Sequence, residues 1–308
     1  MNPKLGHIDA ALTNVSVMYK PTGFIADLVA PVVKVEKESD KYYVWNRADT
    51  FRKVDAKVAA GAESKRVDFE LSNDQYYAEE YALHTSITWR AISNADSVLR
   101  LESNKTKMLK NLLMIEREYR VAAIFTATAS YASGLSTTYS GTSQWNNGSY
   151  AGDPIAEIDA KKELVRVACG VVPNVIVIPH SVATVLANNS AFRDRFKYVK
   201  EDVTSSGLPE YLRGMKVLTP GAQNTTSNES AASTTVADIW GKNLIMAYVN
   251  PNETMDEITF VRTFRSQAEQ VRKWEDDAKR SRMIEDNLVE DVKVTANTTA
   301  YLIKDVIA

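Results

Sequence analysis

Polar and apolar positions alternate most clearly along Arg66 to Leu71, where Val67, Phe69 and Leu71 point one way and Arg66, Asp68 and Glu70 the other. That is the period-two signature of a half-buried strand. Tyr42 to Trp45 is aromatic and β-branched, as strands prefer. Between these ends, Asn46 to Lys65 offers only Phe51, Val54 and Val58 as larger apolar anchors, too few to order so long a segment inside its own subunit. The pattern predicts a projecting ribbon over Lys41 to Ser72. A two-stranded ribbon is marginal in water on its own, so its cover is expected to be another chain.

The helical period is strongest after this ribbon. Ser93 with Asp96 reads as a capping box. Leu101, Met108, Leu112, Ile115, Tyr119 and Ala122 then recur at three- and four-residue spacing, giving an apolar stripe along a helix of about 30 residues, or roughly 45 Å. Val121 to Gly152 holds no charged residue but does hold Tyr131, Tyr139, Trp145 and Tyr150, and reads as a loop packed against protein. A second helix is punctuated by Asp153 as N-cap, Pro154 at its first position and Gly170 as its stop. "VVPNVIVIPHS" is a short buried strand, followed by helical "SVATVLANN" and "SAFRDRFKYV". "LPEYLRGMKVLTP" is expected to repeat that helix and strand grammar on a smaller scale. Ala222 to Val236 reads as a surface loop, "DIWGKNLIMAYVNP" as a strand, and the stretch from Ile258 onward as antiparallel strands closing a mixed sheet. Residues 1–35 read as an extended arm interrupted by Pro21 and Pro31.

Composition narrows the function classes. The chain has 308 residues, 44% hydrophobic and 25% charged, a soluble average, and its net charge of -2 gives no global basic signal for reading nucleic acid. The ribbon is locally basic: Lys41, Arg47, Arg52, Lys53, Lys57, Lys65 and Arg66 stand against Asp49, Asp55 and Glu63. The run that follows is acidic, with Asp68, Glu70, Asp74, Glu79 and Glu80. These opposite stretches can pair within one subunit or across a boundary between copies, or remain solvated faces. No secretion signal is visible, and no apolar stretch approaches the ~20 residues of a membrane span.

Compact catalytic motifs are missing. Cys169 is the only cysteine and sits in an apolar run, as a structural thiol does. His7, His84 and His180 are far apart and in no metal-binding frame; His180, between a buried strand and a helix, is the one positional candidate for a catalytic group. Carboxylates at Glu275, Asp276 and Asp277 and at Glu285, Asp286, Glu290 and Asp291 lie beside Lys273, Lys279, Arg280 and Arg282, and read as salt-bridging faces rather than a metal cage. No cofactor is expected.

The order of N-arm, β-ribbon, long helix, α/β unit and terminal strands resembles the tailed-bacteriophage major capsid proteins of the Hong Kong 97 type. "AGAESKRVDFELSNDQYYAEEYAL", "SGTSQWNNGSYAGDPIAEID", "PNVIVIPHS" and "WGKNLIMAYVNP" resemble stretches of that family. The resemblance implies an α+β fold in five parts: an N-terminal arm (1–35), an extended loop (36–90), a peripheral domain with a spine helix (91–165), an axial domain (166–254) and C-terminal peripheral strands (255–308). It implies a non-enzymatic protein that self-assembles through hexamers and pentamers into an icosahedral shell around double-stranded DNA, without sequence specificity. The implied locations are the virion and, during assembly, the host cytoplasm. A separate scaffolding protein and a portal are the expected partners, with no membrane. The extended loop would lie over a neighbouring subunit, with Arg52, Lys53, Asp55, Lys57, Glu63, Lys65 and Arg66 as its contacts. A few relatives form lysine to asparagine isopeptide bonds; Lys53, Lys57 and Lys65 are read here as salt-bridging lysines instead. Two alternatives remain: a nanocompartment shell of encapsulin type, and a soluble α/β enzyme with its site near His180.

Overall fold

Two long strands, Val261–Asp276 and Ser281–Val294, pair in antiparallel and organise one sheet of the molecule. The computed structural model describes residues 23–45, 49, 51–94, 101–196, 207–225, 227, 235–250, 252 and 257–308. In chain order the first elements are helix α1 (Ala26–Val29) and strands β1 (Val32–Lys34), β2 (Ser39–Trp45), β3 (Leu71–Tyr77) and β4 (Glu79–Thr88). Helices α2 (Trp89–Asn94) and α3 (Leu101–Thr126) follow, then β5 (Ser136–Thr138), α4 (Pro154–Cys169), β6 (Val175–Val177), α5 (His180–Asn188) and α6 (Ser190–Phe196). The remaining strands are β7 (Tyr211–Leu212), β8 (Met215–Leu218), β9 (Gln223–Thr225), β10 (Val236–Asp238), β11 (Leu244–Ala247), β12 (Val261–Asp276), β13 (Ser281–Val294) and β14 (Ala300–Lys304).

Four strands, in the order β1-β12-β13-β4, form a sheet against which α3 packs; β1 runs parallel to β12 and the other pairs are antiparallel. Six strands, in the order β5-β14-β11-β6-β8-β7, form a second sheet in the main hydrophobic core, with α4 and α5 contributing Ile155, Ile158, Val182 and Leu186. The last strand therefore departs from the expected terminal unit. Residues of β12 and β13 belong to the first sheet, but β14 pairs with β11 and β5 in the second.

The second helix, α4, matches its punctuation. Asp153 accepts from the Ile155 amide at 3.0 Å, Pro154 opens the helix, and Gly170 closes it at φ 78°. The charge-free stretch packs as expected and carries β5. Tyr139, Trp145 and Tyr150 all donate to Glu157 at 2.9 to 3.0 Å, so one carboxylate on α4 gathers three aromatic rings. Two readings fail. "LPEYLRGMKVLTP" is a hairpin, not a helix and strand: Arg213 and Gly214 both take positive φ between β7 and β8, as a two-residue primed turn requires. Ser93 is no N-cap, since it lies inside α2 with its hydroxyl on the Trp89 carbonyl; Asp96 falls outside the described residues. Part of the surface loop at 222–236 pairs as β9 with β10, and residues 226 and 228–234 lie outside the described residues.

The helix α3 also turns a different face inward than its apolar stripe suggests. Leu109, Leu113, Val121 and Phe125 are buried, whereas Met108, Leu112 and Tyr119 are about half exposed. Charge explains the rotation. Arg117 and Glu118 are among the most buried residues of α3, because each meets a partner no sequence pattern names. Glu290 of β13 has no exposed surface and sits among Arg117 (2.9 Å), Arg120 (3.0 Å) and Arg265 (2.7 Å). Burial alone would raise its carboxyl, but the three guanidinium groups outweigh that and hold it below the usual carboxylate range. Glu118 accepts from the amides of Ile25 and Ala26 and from Trp240 Nε1 at 2.6 Å, while Arg117 pairs with Asp27 at 2.6 Å. These bonds fix residues 25–27 on α3. Here burial outweighs the three donors, and the Glu118 carboxyl lies above its ordinary value. Asp286 and Glu290 are therefore core groups, unlike Glu275 and Asp276, which pair on the surface with Arg282 and Lys279.

Asp286, on the same face of β13 as Glu290, has no exposed surface and no hydrogen-bond partner for either oxygen. Burial, with Glu269 adding like charge and Lys110 opposing it, pushes its carboxyl up to about 6. The folded chain thus holds this proton more tightly than the unfolded one. Its stabilising effect is full below the ordinary aspartate value and is lost as pH rises through about 6. Denaturant unfolding is expected to show wild type losing stability relative to Asp286→Asn between about pH 4 and pH 6; parallel pH profiles would contradict this assignment.

Candidate functional site

The arm begins where two aromatic residues meet the sheet. Tyr76 stacks on Phe264 of β12 at 4.6 Å between centroids and 10° between planes, and Tyr42 approaches the same ring at 5.3 Å. Val33 completes this small core. The Tyr42 hydroxyl donates to Asp74 at 2.9 Å, tying β2 to β3 beneath the ring stack. Burial, then that hydrogen bond, drives the Tyr42 hydroxyl well above its ordinary value, so it stays protonated and donating. From this root β2 and β3 run antiparallel from Ser39 opposite Tyr77 out to Trp45 opposite Leu71.

Past the ladder the chain is held by few bonds. Asp49 accepts from the Glu70 amide at 2.9 Å and from Arg52 at 2.6 Å, closing the neck of the loop. Lys65 reaches the Asp55 carbonyl at 2.8 Å and its carboxylate at 3.2 Å. The tip is a turn in which the Ala62 amide bonds the Ala59 carbonyl and Gly61 takes φ 84° with open space around it. The Phe51 ring lies against Gly170 at the end of α4, so closely that a Cβ there would sit 2.7 Å from the ring.

Residues 51–75 are nonetheless exposed throughout, and the predicted half-buried strand is absent. The ladder starts at Leu71, and Val67, Phe69 and Leu71 are 38%, 60% and 45% exposed. The alternation is real in the sequence, but its apolar side stays largely exposed among the described residues. Phe51, Val54 and Val58 are likewise 62%, 41% and 40% exposed. Of the charged residues singled out, Arg52, Asp55, Lys65 and Arg66 pair locally, the last with Asp68 at 2.9 Å. Lys53, Lys57 and Glu63 make no ion pair among the described residues. The root contacts of Tyr42, Tyr76 and Phe264 were missed by sequence reasoning, because Phe264 lies about 190 residues away from the strands it anchors. Only its place in an alternating run marked it as a core residue.

The other candidates do not assemble into a reaction centre. His180 is exposed at the first turn of α5, and His84 is exposed on β4; His7 lies outside the described residues. Cys169 is buried with its thiol on the Val165 carbonyl at 3.2 Å. Among the described residues no group of three histidine, cysteine or carboxylate side chains is placed to hold a metal, and no helix is long and apolar enough to cross a membrane.

No protein-family model matches the chain. The chain is 27% identical over 247 residues to the major capsid protein of Burkholderia phage BcepMu, covering 80% of this chain and 78% of that protein. It is 29% identical over 179 residues to the major capsid protein of Pseudomonas phage JBD67, covering 58% and 56%. Among solved structures it is similar to a phage-related protein from Bordetella bronchiseptica (TM-score 0.72, 18% identity, 94% of each chain). It is also similar to the capsid of cyanophage P-SCSP1u (TM-score 0.66, 10% identity, 94% and 89%) and to the SrpI encapsulin of Synechococcus elongatus (TM-score 0.58, 10% identity, 97% and 94%). The fold is of the Hong Kong 97 type, and capsid-shell formation, a structural and not an enzymatic role, is the function these relatives support.

Replacing Phe264 with Ala is expected to cost about 3–5 kcal/mol and to free the arm root. Denaturant unfolding measures the first effect, and faster limited proteolysis within residues 39–77 the second. An unchanged cleavage rate would show that the ring stack does not hold the arm.

Proposed function

We propose that this chain, a phage capsid shell protein of the Hong Kong 97 type, builds an icosahedral shell by laying its arm over a neighbouring copy. The observation that supports this reading is the solvent exposure of residues 51–75 in the lone subunit, where Val54, Val58 and Leu71 are 41%, 40% and 45% exposed. A folded chain gains by covering such a surface, at about 25 cal/mol per Å² of apolar area. Each arm contact is modest, but a shell repeats it hundreds of times, and a closed array multiplies weak links by effective concentration.

In this reading the α3 sheet unit is the peripheral domain, the six-stranded unit contributes the axial domain, and the charged arm residues from Arg52 to Arg66 make the contacts between copies. The shell assembles from hexamers and pentamers in the host cytoplasm, with a separate scaffolding protein and a portal. It encloses double-stranded DNA held without sequence reading, consistent with a near-neutral chain. An encapsulin-type shell shares the fold, and the contents of purified particles separate the two: nuclease-protected DNA fits the capsid, an enclosed enzyme the compartment.

Deleting Asp49 to Glu63 is expected to leave a folded subunit that forms no closed shells in electron micrographs. Closed shells of normal size from this variant would remove the arm from the assembly mechanism.

A further inference from the structure

Strand register places one carboxyl where no donor reaches it. On β13, Arg282, Ile284, Asp286, Leu288 and Glu290 share the face turned to α3, and Asp286 has no exposed surface and no hydrogen-bond partner for either oxygen. The strand beside it is irregular at this level. Gln267 pairs with Val289 and Gln270 with Asn287, so β12 takes three steps where β13 takes two, and Ala268 and Glu269 both stand opposite Leu288. That is a β-bulge, a device that re-aims a side chain. It turns Glu269 toward α3, where Lys110 meets it at 2.8 Å.

The other charges on this face are committed. Arg117 and Arg120 of α3 and Arg265 of β12 are held by Glu290, while Lys273 of β12 and Arg282 of β13 are held by Glu102 of α3. From β4 come Leu83, opposite Asp286, and Tyr81, whose ring lies under Arg120, with Glu79 opposite Glu290. Lys110 is thus the cation that must serve two carboxyls, and Glu269 already has it. Glu269 lies within hydrogen-bond reach of Asp286. Two carboxylates side by side, however, offer acceptors and no donor. A proton on Asp286 supplies the donor and removes the repulsion together.

We propose that protonated Asp286 donates a hydrogen bond to Glu269, and that this proton, with Lys110 on the far side of Glu269, is a pH-sensitive latch fastening the N-terminal half of α3 to the β12–β13 hairpin. The latch sits where little else holds. Around that half of the helix the buried apolar cluster is Leu109 with Ile87 and Ile284, whereas the C-terminal half enters the main core through Val121, Ala122 and Phe125. The remaining links, from Glu102 to Arg282 and Lys273, are part-exposed pairs of modest worth. Once the proton leaves, two adjacent negative charges face one lysine, and separating them parts helix from hairpin. The junction at Glu290, with three guanidinium groups around one carboxylate, does not depend on that proton and stays closed. The inference concerns the lone subunit and stands apart from the shell reading.

Nuclear magnetic resonance of the full-length chain, isotopically labelled at its aspartate carboxyl carbons and assigned by sequential connectivity, tests the proton bond. The Asp286 carboxyl is expected to titrate near pH 6. Its midpoint is expected to move down in Glu269→Gln, which removes like charge, and up in Lys110→Met, which removes the cation. Titration in the ordinary aspartate range, or a midpoint that neither variant moves, overturns the proton bond. Hydrogen exchange, corrected for the intrinsic effect of pH, tests the latch. Residues 101–113 are expected to exchange faster at about pH 8 than at about pH 5, and residues 117–125 equally at both. Asp286→Asn keeps a donor toward Glu269 at every pH, and Glu269→Gln, changed at a part-exposed side chain, removes the repulsion, so the difference is expected to vanish in each. Equal exchange of residues 101–113 at the two pH values in the wild-type chain, or a difference that persists in these variants, overturns the latch.

Discussion

A single buried carboxylate sets the geometry on which the arm depends. Glu290 holds Arg117 and Arg120 of α3 and Arg265 of β12 at one point, joining helix and sheet where neither apolar face alone would fix their rotation. Removing one member of such a buried cluster leaves charge uncompensated in low dielectric, an effect of several kcal/mol, which far exceeds that of the surface pairs along the arm. One residue before Arg265, Phe264 receives Tyr42 and Tyr76. The direction of the arm is therefore coupled to the α3 junction through adjacent residues on one strand.

The second carboxylate on α3 does related work at the other end of the described chain. Glu118 binds the Ile25 and Ala26 amides and Trp240, and Arg117 binds Asp27. One helix thus fixes the entering chain, the core of the six-stranded sheet and the four-stranded sheet together. Beyond Leu71 the arm is exposed, held at its neck by Asp49, within the loop by Lys65 and Asp55, and by the Phe51 ring against Gly170. Rigid root and sparsely bonded tip suit a part that completes its contacts elsewhere.

Much of this was legible in the sequence, and the failures have physical causes. The caps of α4, the buried strand β6, the aromatic packing of the charge-free stretch and the sparsely anchored loop all follow from local pattern and turn chemistry. The α3 stripe misled because helical periodicity counts Met108, Leu112 and Tyr119 as core and Arg117 and Glu118 as surface, while long-range ion pairing reverses both. Val67 and Phe69 misled for a related reason: alternation records that one side is to be covered, not that the same molecule covers it. The Arg213–Gly214 turn was readable from Gly214 and was mistaken because "LPEYL" resembles the start of a helix. The buried Asn287–Glu80 bond could not be read at all, since the two residues meet only through strand register.

The central claim is that the arm lacks the contacts to order itself and takes them from another copy. Amide hydrogen exchange over residues 51–70, compared between dilute subunits and assembled shells, tests it most directly. The account predicts rapid, essentially unprotected exchange in the subunit and strong protection in the shell, with the β12 and β13 amides protected in both. An arm already fully protected in the dilute subunit would contradict it.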